Sequence, residues 1–218
     1  RKLEEASLTN LELQHGALVN GDRLIVEPEL GWSLENPGWF IRTKGKYRHV
    51  EYKLQNQANS SLKDPKLGIG NYSFDSGLIF ERNLARSEQG WRSTIEPRIY
   101  YLYNEYVDQS KLPLFDTSEL NFSFNQLFRN DRFSGGDRLG DADQATFAIT
   151  TRLLNPKGKE TGRASIGQIR YFRDRLVTIA SPIHDRLSRY STQTNRSSIV
   201  GEVAFTLGNS WRFNSDAQ

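Results

Sequence analysis

Apolar and polar residues alternate with a period of two along most of this chain. Between Arg23 and Leu34, one face carries the apolar side chains from Leu24 onward, and the other is largely polar. The stretches 91–103, 144–153 and 198–207 repeat this alternation. Long apolar stripes with a helical period are missing, so the pattern predicts an all-β chain of about nine antiparallel strands. The predicted strands are 5–15, 22–34, 38–54, 74–84, 91–106, 143–154, 162–175, 197–207 and 210–217.

The connections between these strands alternate between short and long. In an antiparallel meander, alternate connections lie at opposite ends, so one end carries tight turns and the other carries large loops. That asymmetry is typical of outer-membrane barrels. A soluble sandwich or jelly roll is the alternative, but predicted strands of up to about 15 residues favour the barrel. The predicted short connections are 35–38, 85–90, 155–161 and 208–209, and the long ones are 15–21, 55–73, 107–142 and 176–196.

Side-chain placement in two of the predicted strands is left open, because 74–84 and 162–175 mix polar and apolar residues on both faces. Pro28 and Pro97 fall inside predicted strands and remove ladder donors, so they predict bulges or weak pairing. Aromatic residues gather near strand ends, as in the interfacial girdles of membrane proteins. These residues are Trp32, Trp39, Tyr52, Trp91, Tyr101, Tyr103, Tyr171 and Trp211.

Composition narrows the class of protein. The 218 residues have a mean hydropathy of −0.66 and no apolar run of transmembrane-helix length, which excludes a helical membrane protein. An aromatic content of 11% argues against disorder. The chain has no Cys, which rules out disulfides and thiolate metal sites within it. A net charge of only +3 favours no nucleic-acid partner. The chain also begins without Met or a signal peptide, so we expect an internal segment or a processed form.

Basic residues form a row at the predicted inner face of the strand 38–54. Four charges on the lipid-facing side would each cost about 2–4 kcal/mol at the bilayer midplane, so the lumen is the cheaper side for them. One interpretation is a solvated lumen with cross-strand ion pairs to Glu27 and Glu29. The other is a basic track that binds an anionic ligand. The row consists of Arg42, Lys44, Lys46 and Arg48, and Arg92 and Arg98 fall on the same kind of face.

The connection 107–142 is unusually rich in apolar residues for a solvent loop. We therefore predict that it folds into or over the barrel, anchored through ion pairs of Arg129, Asp131, Arg132 and Asp137. It is either a lid or lumen constriction, or packing that only stabilises the barrel. Asp137, Asp141 and Asp143 have a spacing that calcium ligands can show, but the rest of an EF-hand loop is absent. Turn and capping roles are the better interpretation, and we predict no metal site and no cofactor.

A series of short motifs between residues 96 and 175 resembles the barrel domain of the LptD family, which assembles lipopolysaccharide. Two earlier motifs, 21–24 and 75–78, are also similar to it. The resemblance extends from about residue 8 onward, and the run 108–144 is its most specific part. The motifs are Glu96-Pro97-Arg98, Tyr100-Tyr101-Leu102-Tyr103, Asp108-Gln109-Ser110, Leu112-Pro113-Leu114-Phe115-Asp116-Thr117, Gln126-Leu127-Phe128-Arg129, 131–138, 140–144, Gly167-Gln168 and 171–175.

The resemblance implies a place in the outer membrane of a Gram-negative bacterium and a role in inserting lipopolysaccharide into the outer leaflet. It implies that residues 1–218 are part of a single C-terminal β-barrel domain, with the periplasmic jellyroll domain and the lateral gate strands outside this segment. The implied partners are lipopolysaccharide, an LptE-like lipoprotein plug in the lumen, and a periplasmic Lpt bridge. The basic row then contacts lipopolysaccharide or the lipoprotein. The family-motif loop residues are Asp108, Asp116, Arg129, Arg132, Asp137, Arg138 and Asp141.

Two other functions stay open on the residues alone. A general porin shares the barrel and would show an acidic constriction loop facing a basic strand row. An outer-membrane barrel enzyme would need an activated nucleophile. The three histidines, His15, His49 and His184, stand in no recognisable triad context, so we predict that the chain is not an enzyme.

Overall fold

Ten strands make up a single antiparallel sheet in a computed structural model of the chain. The structure describes residues 20–55, 64–84, 90–110, 112–179, 193–207 and 211–218. The predicted strand 5–15 therefore lies outside the described residues. The strands are β1 (Asn20–Val26), β2 (Glu29–Asn36), β3 (Trp39–Gln55), β4 (Lys66–Leu78), β5 (Phe80–Asn83), β6 (Arg92–Asn104), β7 (Ala142–Leu154), β8 (Glu160–Tyr171), β9 (Val200–Leu207) and β10 (Trp211–Ala217).

The strands follow chain order across the sheet, from β1 at one end to β10 at the other. Two positions in the sheet are each filled by two consecutive strands: β1 and β2 both pair with β3, and β4 and β5 both pair with β6. The connection between β2 and β3 is a tight turn, and that between β7 and β8 spans 155–159. The connection between β6 and β7 is by contrast very long. The predicted all-β meander with tight turns at one end is confirmed.

The two faces of the sheet differ in chemistry. On β3 the outer face carries Trp39, Ile41, Thr43 and Tyr47, and the inner face carries the basic row and then Val50, Tyr52 and Leu54. From Trp39 to Tyr47 the strand advances about 26 Å, which matches the apolar band of about 25 Å on outer-membrane barrels. Large apolar side chains remain exposed on this outer face in the other strands too, among them Leu30, Trp32, Ile99, Phe147, Ile149 and Ile166.

Strand β4 corrects one prediction. It begins at Lys66, whereas the pattern predicted a connection over 55–73 and a strand only from residue 74. The alternation was hidden because the outward positions 68 and 70 are glycines, while Leu67 and Ile69 point inward and are buried. The ring of Tyr47 lies over Gly68 and fills the space that a side chain would take. Glycine therefore marks close aromatic packing here and not a turn.

Both prolines coincide with interruptions, as predicted. Pro28 lies in the break between β1 and β2, although its carbonyl still accepts the Tyr47 N–H at 3.1 Å. Pro97 lies in β6 opposite the break between β4 and β5, and its pairing with β7 continues unbroken. The predicted strand 162–175 ends earlier, at Tyr171, and its inward residues include Arg163, Ser165 and Ile169. The structure also shows which way the side chains of the predicted strand 74–84 point: Asp75 points inward and Phe74 points outward.

The connection between β6 and β7, residues 105–141, folds onto the inner face of the sheet; we call it the inner loop. Its 3-10 helix, Phe124–Phe128, buries Leu127 completely against Ile169 and Val200 of the wall. Gly167 and Ala148 lie beneath Leu127 and are small enough to let it approach. Leu112 and Leu139 pack with the inward residues of β3 and β4. Among the described residues, no helix is long and apolar enough to span a bilayer.

Candidate functional site

The basic row of β3 lies on the inner face, and every member has a carboxylate partner on the neighbouring strand or at its break. The partners include Glu27 and Glu29, the two residues that the pattern proposed for this role. Alternate residues of paired strands face the same side, so the pairs follow from the register of β2 against β3. The pairs are Arg42 with Glu35 (2.7 Å), Lys44 with Glu29 (2.9 Å), Lys46 with Glu27 (2.7 Å) and Arg48 with Glu27 (3.2 Å).

From Lys44 onward, the exposed fraction of the side chains falls toward the inner loop. The Lys44 side chain is 50% exposed, whereas that of Arg48 is 9% exposed. Arg48 also donates to the carbonyl of Gly136 at 2.8 Å, so the inner loop covers it. The row therefore has an open end at Arg42 and Lys44, and a closed end at Arg48 that holds the loop.

Arg92 and Arg98 of β6 are paired as well. Arg92 meets Glu81 at 3.0 Å near the tight-turn end. Arg98 makes a bidentate contact with Asp75, at 2.7 and 2.8 Å, and its guanidinium lies 3.8 Å from the ring centroid of Phe128. Arg98 thus joins the wall to the 3-10 helix of the inner loop, through a planar group that suits both contacts.

A second set of charges continues the pattern across β6 to β9. Arg152 contacts Glu96 at 3.0 Å and Glu160 at 2.7 Å, and Arg163 contacts Glu202 at 3.2 Å. Opposite charges thus alternate from strand to strand on the inner face. Compensation of this kind leaves the wall polar and hydrated with little net charge.

Arg23 of β1 clamps the inner loop to the wall. It donates to Asp116 at 2.7 and 3.0 Å and also pairs with Asp137. The Asp137 side chain is fully buried, and it accepts N–H groups from Phe115 (2.6 Å) and Asp116 (2.9 Å). A buried carboxylate needs such partners, since an unpaired one is costly. We call Arg23, Asp116 and Asp137 the loop clamp.

Asp116 lies outside the membrane-spanning strands, and its ionisation is tuned by the clamp. The Arg23 guanidinium and the N–H of Gly136 (2.9 Å) hold the pKa of its carboxyl well below its ordinary value. The backbone next to it is specialised too, because Gly135 has φ +73° and a Cβ there would overlap the Asp116 carbonyl oxygen. Glycine is required at this position for both reasons.

Other motif residues of the inner loop serve its internal structure. Arg132 pairs with Asp141 at 3.3 Å, and Asp141 accepts the N–H groups of Leu176 (2.8 Å) and Val177 (2.9 Å). The predicted ion pairs of Arg132 and Asp137 are therefore present. Asp131 instead accepts backbone N–H groups, from Phe133 and Gly140, both at 3.0 Å, and burial raises its carboxyl pKa.

Four further motif residues have different surroundings. Arg138 is buried and donates to the carbonyls of Leu112 (2.7 Å) and Pro113 (3.2 Å), and burial lowers its pKa. Asp108 accepts the N–H of Ser110 at 2.9 Å, as in an Asx turn. Arg129, predicted to be an anchor, is exposed and forms no ion pair with any described residue. Asp143 accepts the Tyr101 hydroxyl at 2.9 Å, on the outer face.

Sequence reasoning missed Arg23 and Asp75 as functional positions. Their partners are far away in sequence, 93 residues for Arg23 with Asp116, so no local pattern connects them. Both residues nevertheless belong to the short motifs 21–24 and 75–78 that carry part of the family resemblance. Both are charged residues that lie inside a motif and at an inward-facing position of a strand, and that combination would have identified them.

An antiparallel sheet with an apolar outer surface, a charge-compensated inner surface and a long loop folded inside is the wall of an outer-membrane β-barrel. Comparison with known proteins identifies the family within this class. A family model described as LptD, LPS transport system D, matches residues 5–218. The chain belongs to the LptD family, and its sheet is part of that family's outer-membrane barrel.

Curated relatives agree with the family model. The LPS-assembly protein LptD of Pseudomonas putida strain F1 is 36% identical over 215 residues, covering 91% of this chain and 23% of that protein. Its namesake in Alkalilimnicola ehrlichii is 38% identical over 189 residues, with coverages of 86% and 24%. The one in Burkholderia lata is 33% identical over 208 residues, with coverages of 94% and 26%. The chain spans about a quarter of the length of these relatives.

Proposed function

We propose that this chain forms part of the barrel of a protein that transports lipopolysaccharide and assembles it into the outer leaflet of a Gram-negative outer membrane. The observation that carries the proposal is the contrast between the two faces of the sheet. The outer face fits a hydrocarbon environment, whereas the inner face offers a polar, charge-compensated path beside a folded loop. A cargo with both acyl chains and sugars needs both environments. The name of the relatives, LPS-assembly protein, supports this choice of cargo.

We further propose that residues 1–218 belong to one C-terminal barrel domain and contain no jellyroll. The support is that the ten strands of the described residues join one sheet in chain order. In this proposal, a periplasmic Lpt bridge delivers lipopolysaccharide through an N-terminal domain, and an LptE-like lipoprotein occupies the lumen. These partners are expectations from the family resemblance.

The open end of the basic row is the proposed contact surface for lipopolysaccharide or the lipoprotein. Exposed ion pairs contribute only about 0–1 kcal/mol each, so Arg42 and Lys44 exchange a carboxylate for an anionic ligand at little cost. Arg92, Arg98 and Lys46 line the same face but are less exposed. Arg48 is assigned to holding the inner loop, because the loop covers it.

The porin alternative receives less support from the loop clamp. In a porin, acidic loop residues and basic wall residues face each other across water. Asp116 and Asp137 contact Arg23 directly, so the inner loop and the wall close at this point. We also propose that the chain is not an enzyme. His49 lies on the outer face, 3.1 Å from Glu51, and His15 and His184 lie outside the described residues.

Depletion of the full-length protein tests the proposal. We expect lipopolysaccharide to disappear from the cell surface and the cells to become sensitive to large hydrophobic antibiotics. Re-expression of the wild-type protein should restore both properties. Ile149→Arg should restore them poorly, because a charge at mid-bilayer on the outer face costs about 2–4 kcal/mol, whereas Ile149→Val is the matched control. Normal surface lipopolysaccharide after depletion would refute the proposed function.

A further inference from the structure

A cavity of about 390 Å³ lies between the inner loop, the loop ends of β6 to β8, and residues 194–198. We call it the loop-side cavity. It is distinct from the basic row, which lies on β3. Four arginines line it, and they come from three separate parts of the chain. They are Arg129, Arg132, Arg175 and Arg196.

Two of these arginines are available to a ligand. Arg129 and Arg196 are both exposed, and neither forms an ion pair with a residue that the structure describes. Arg132 is held by Asp141, at 3.3 Å to its carboxylate and 2.9 Å to its carbonyl. Arg175 lies over the ring of Tyr171, with 3.6 Å between the guanidinium carbon and the ring centroid. The cavity thus combines two fixed guanidinium groups with two that form no ion pair with a described residue.

Two of the three acidic residues of the lining already accept hydrogen bonds from the protein. Asp141 accepts from Arg132 and from two backbone N–H groups, and Asp131 accepts two more. Glu119 is exposed, and its backbone bridges to Phe133. Positive charge therefore remains available at Arg129 and Arg196, where an anion can approach from solvent.

The rest of the lining has the chemistry of a sugar site. Gln126, Asn130 and Gln144 supply amides that donate to and accept from hydroxyl groups. Phe122 and Leu120 supply an apolar surface for the C–H face of a sugar ring. Guanidinium groups suit phosphate oxygens because they donate two parallel hydrogen bonds.

We propose that the loop-side cavity binds a phosphorylated saccharide, with Arg129 and Arg196 on the phosphate and the amides on the sugar. In the cell this ligand is a phosphorylated sugar of the transported lipopolysaccharide, a step that rests on the proposed function. The cavity then holds the cargo's sugars on the loop side of the barrel, where the long loops lie.

Ligand-observed NMR on the purified full-length protein tests the site without depending on transport. The probes are glucosamine 6-phosphate, glucosamine and inorganic phosphate. We expect glucosamine 6-phosphate to bind, and the double variant Arg129→Gln with Arg196→Gln to weaken it by about tenfold or more. Both arginines are exposed and unpaired with described residues, so the variant should fold. Arg82→Gln, another exposed arginine without an ion pair among the described residues, is the matched control and should bind normally.

Two results would overturn the proposal: equal binding of the probe by the double variant and the wild type, or binding of inorganic phosphate as tight as that of the sugar phosphate. A photo-crosslinking residue at Gln126 then separates the sources of the ligand in cells. Lipopolysaccharide should be captured there but not at Leu153, on the outer face near the tight turns. Absence of an adduct at Gln126 in cells that assemble surface lipopolysaccharide normally would overturn the cavity's role in transport and leave the proposed function standing.

Discussion

Replacing Arg23 should release the inner loop from the wall. Arg23→Gln leaves the fully buried Asp137 without its cationic partner, and removal of one member of a buried pair costs about 3–5 kcal/mol. Asp137 keeps the N–H groups of Phe115 and Asp116, at 2.6 and 2.9 Å, so we expect the lower end, about 3 kcal/mol.

Hydrogen exchange on the full-length protein measures this loss directly. Amides held by the clamp exchange through local opening, so a loss of about 3 kcal/mol lowers their protection by about 100-fold. The amides to follow are those of Phe115, Asp116 and Gly136. The matched control is Arg92→Gln, which breaks an ion pair whose side chains are 35% and 45% exposed and should cost less than about 1 kcal/mol. Protection of the three amides that stays within about threefold of wild type would refute the assignment of Arg23 as the clamp.

Three further predictions concern the inner loop. Gly135→Ala should lower the hydrogen-exchange protection of the clamp amides by about 2 kcal/mol or more, because φ is positive there and a Cβ would overlap Asp116. Gly90→Ala is the control: φ is also positive, at +74°, but a Cβ there would meet open space, so the substitution should cost less. The pKa of Asp116 is lowered in the folded protein, so the ionised carboxylate stabilises the clamp above the ordinary pKa of 3.8, and this stabilisation is lost as pH falls below 3.8. Hydrogen-exchange protection of the clamp amides, measured from pH 6 to pH 3, should therefore drop in the wild type and much less in Asp116→Asn. Leu127→Ala, at a fully buried site, should destabilise the 3-10 helix by about 2–5 kcal/mol. Proteolysis at Arg129 should therefore be faster in this variant than in the control Leu114→Ala. Equal rates of cleavage in the two variants would contradict the prediction.

The sequence was sufficient to predict the strands whose outward residues have side chains. Alternation placed β3, β6 and β7 within one or two residues, because apolar and polar side chains report their faces directly. Alternation did not predict the start of β4, because residues 68 and 70 are glycines and have no side chain to show which face is outward. The apolar content of the inner loop correctly predicted that it folds onto the wall.

The candidate site was only partly predictable, for a different reason. Pairing of Glu27 and Glu29 with the basic row follows from adjacent strands, and the sequence suggested it. The loop clamp joins Arg23 to Asp137 across 114 positions, and such contacts depend on the whole path of the chain. Arg129 shows the opposite error, since a motif arginine predicted to be an anchor is exposed and, among the described residues, free of ion pairs.

The break at Glu27 and Pro28 has a mechanical consequence. Strand β1 is fastened to the inner loop through Arg23, whereas β2 is fastened to β3 through Lys44 and its neighbours. Pro28 cannot donate a ladder hydrogen bond, so at this point the chain is held to β3 by the Pro28 carbonyl and by the two ion pairs of Glu27. Since Arg48 of β3 and Arg98 of β6 also hold the inner loop, a force that lifts the loop is shared among β1, β3 and β6 and does not stop at the break.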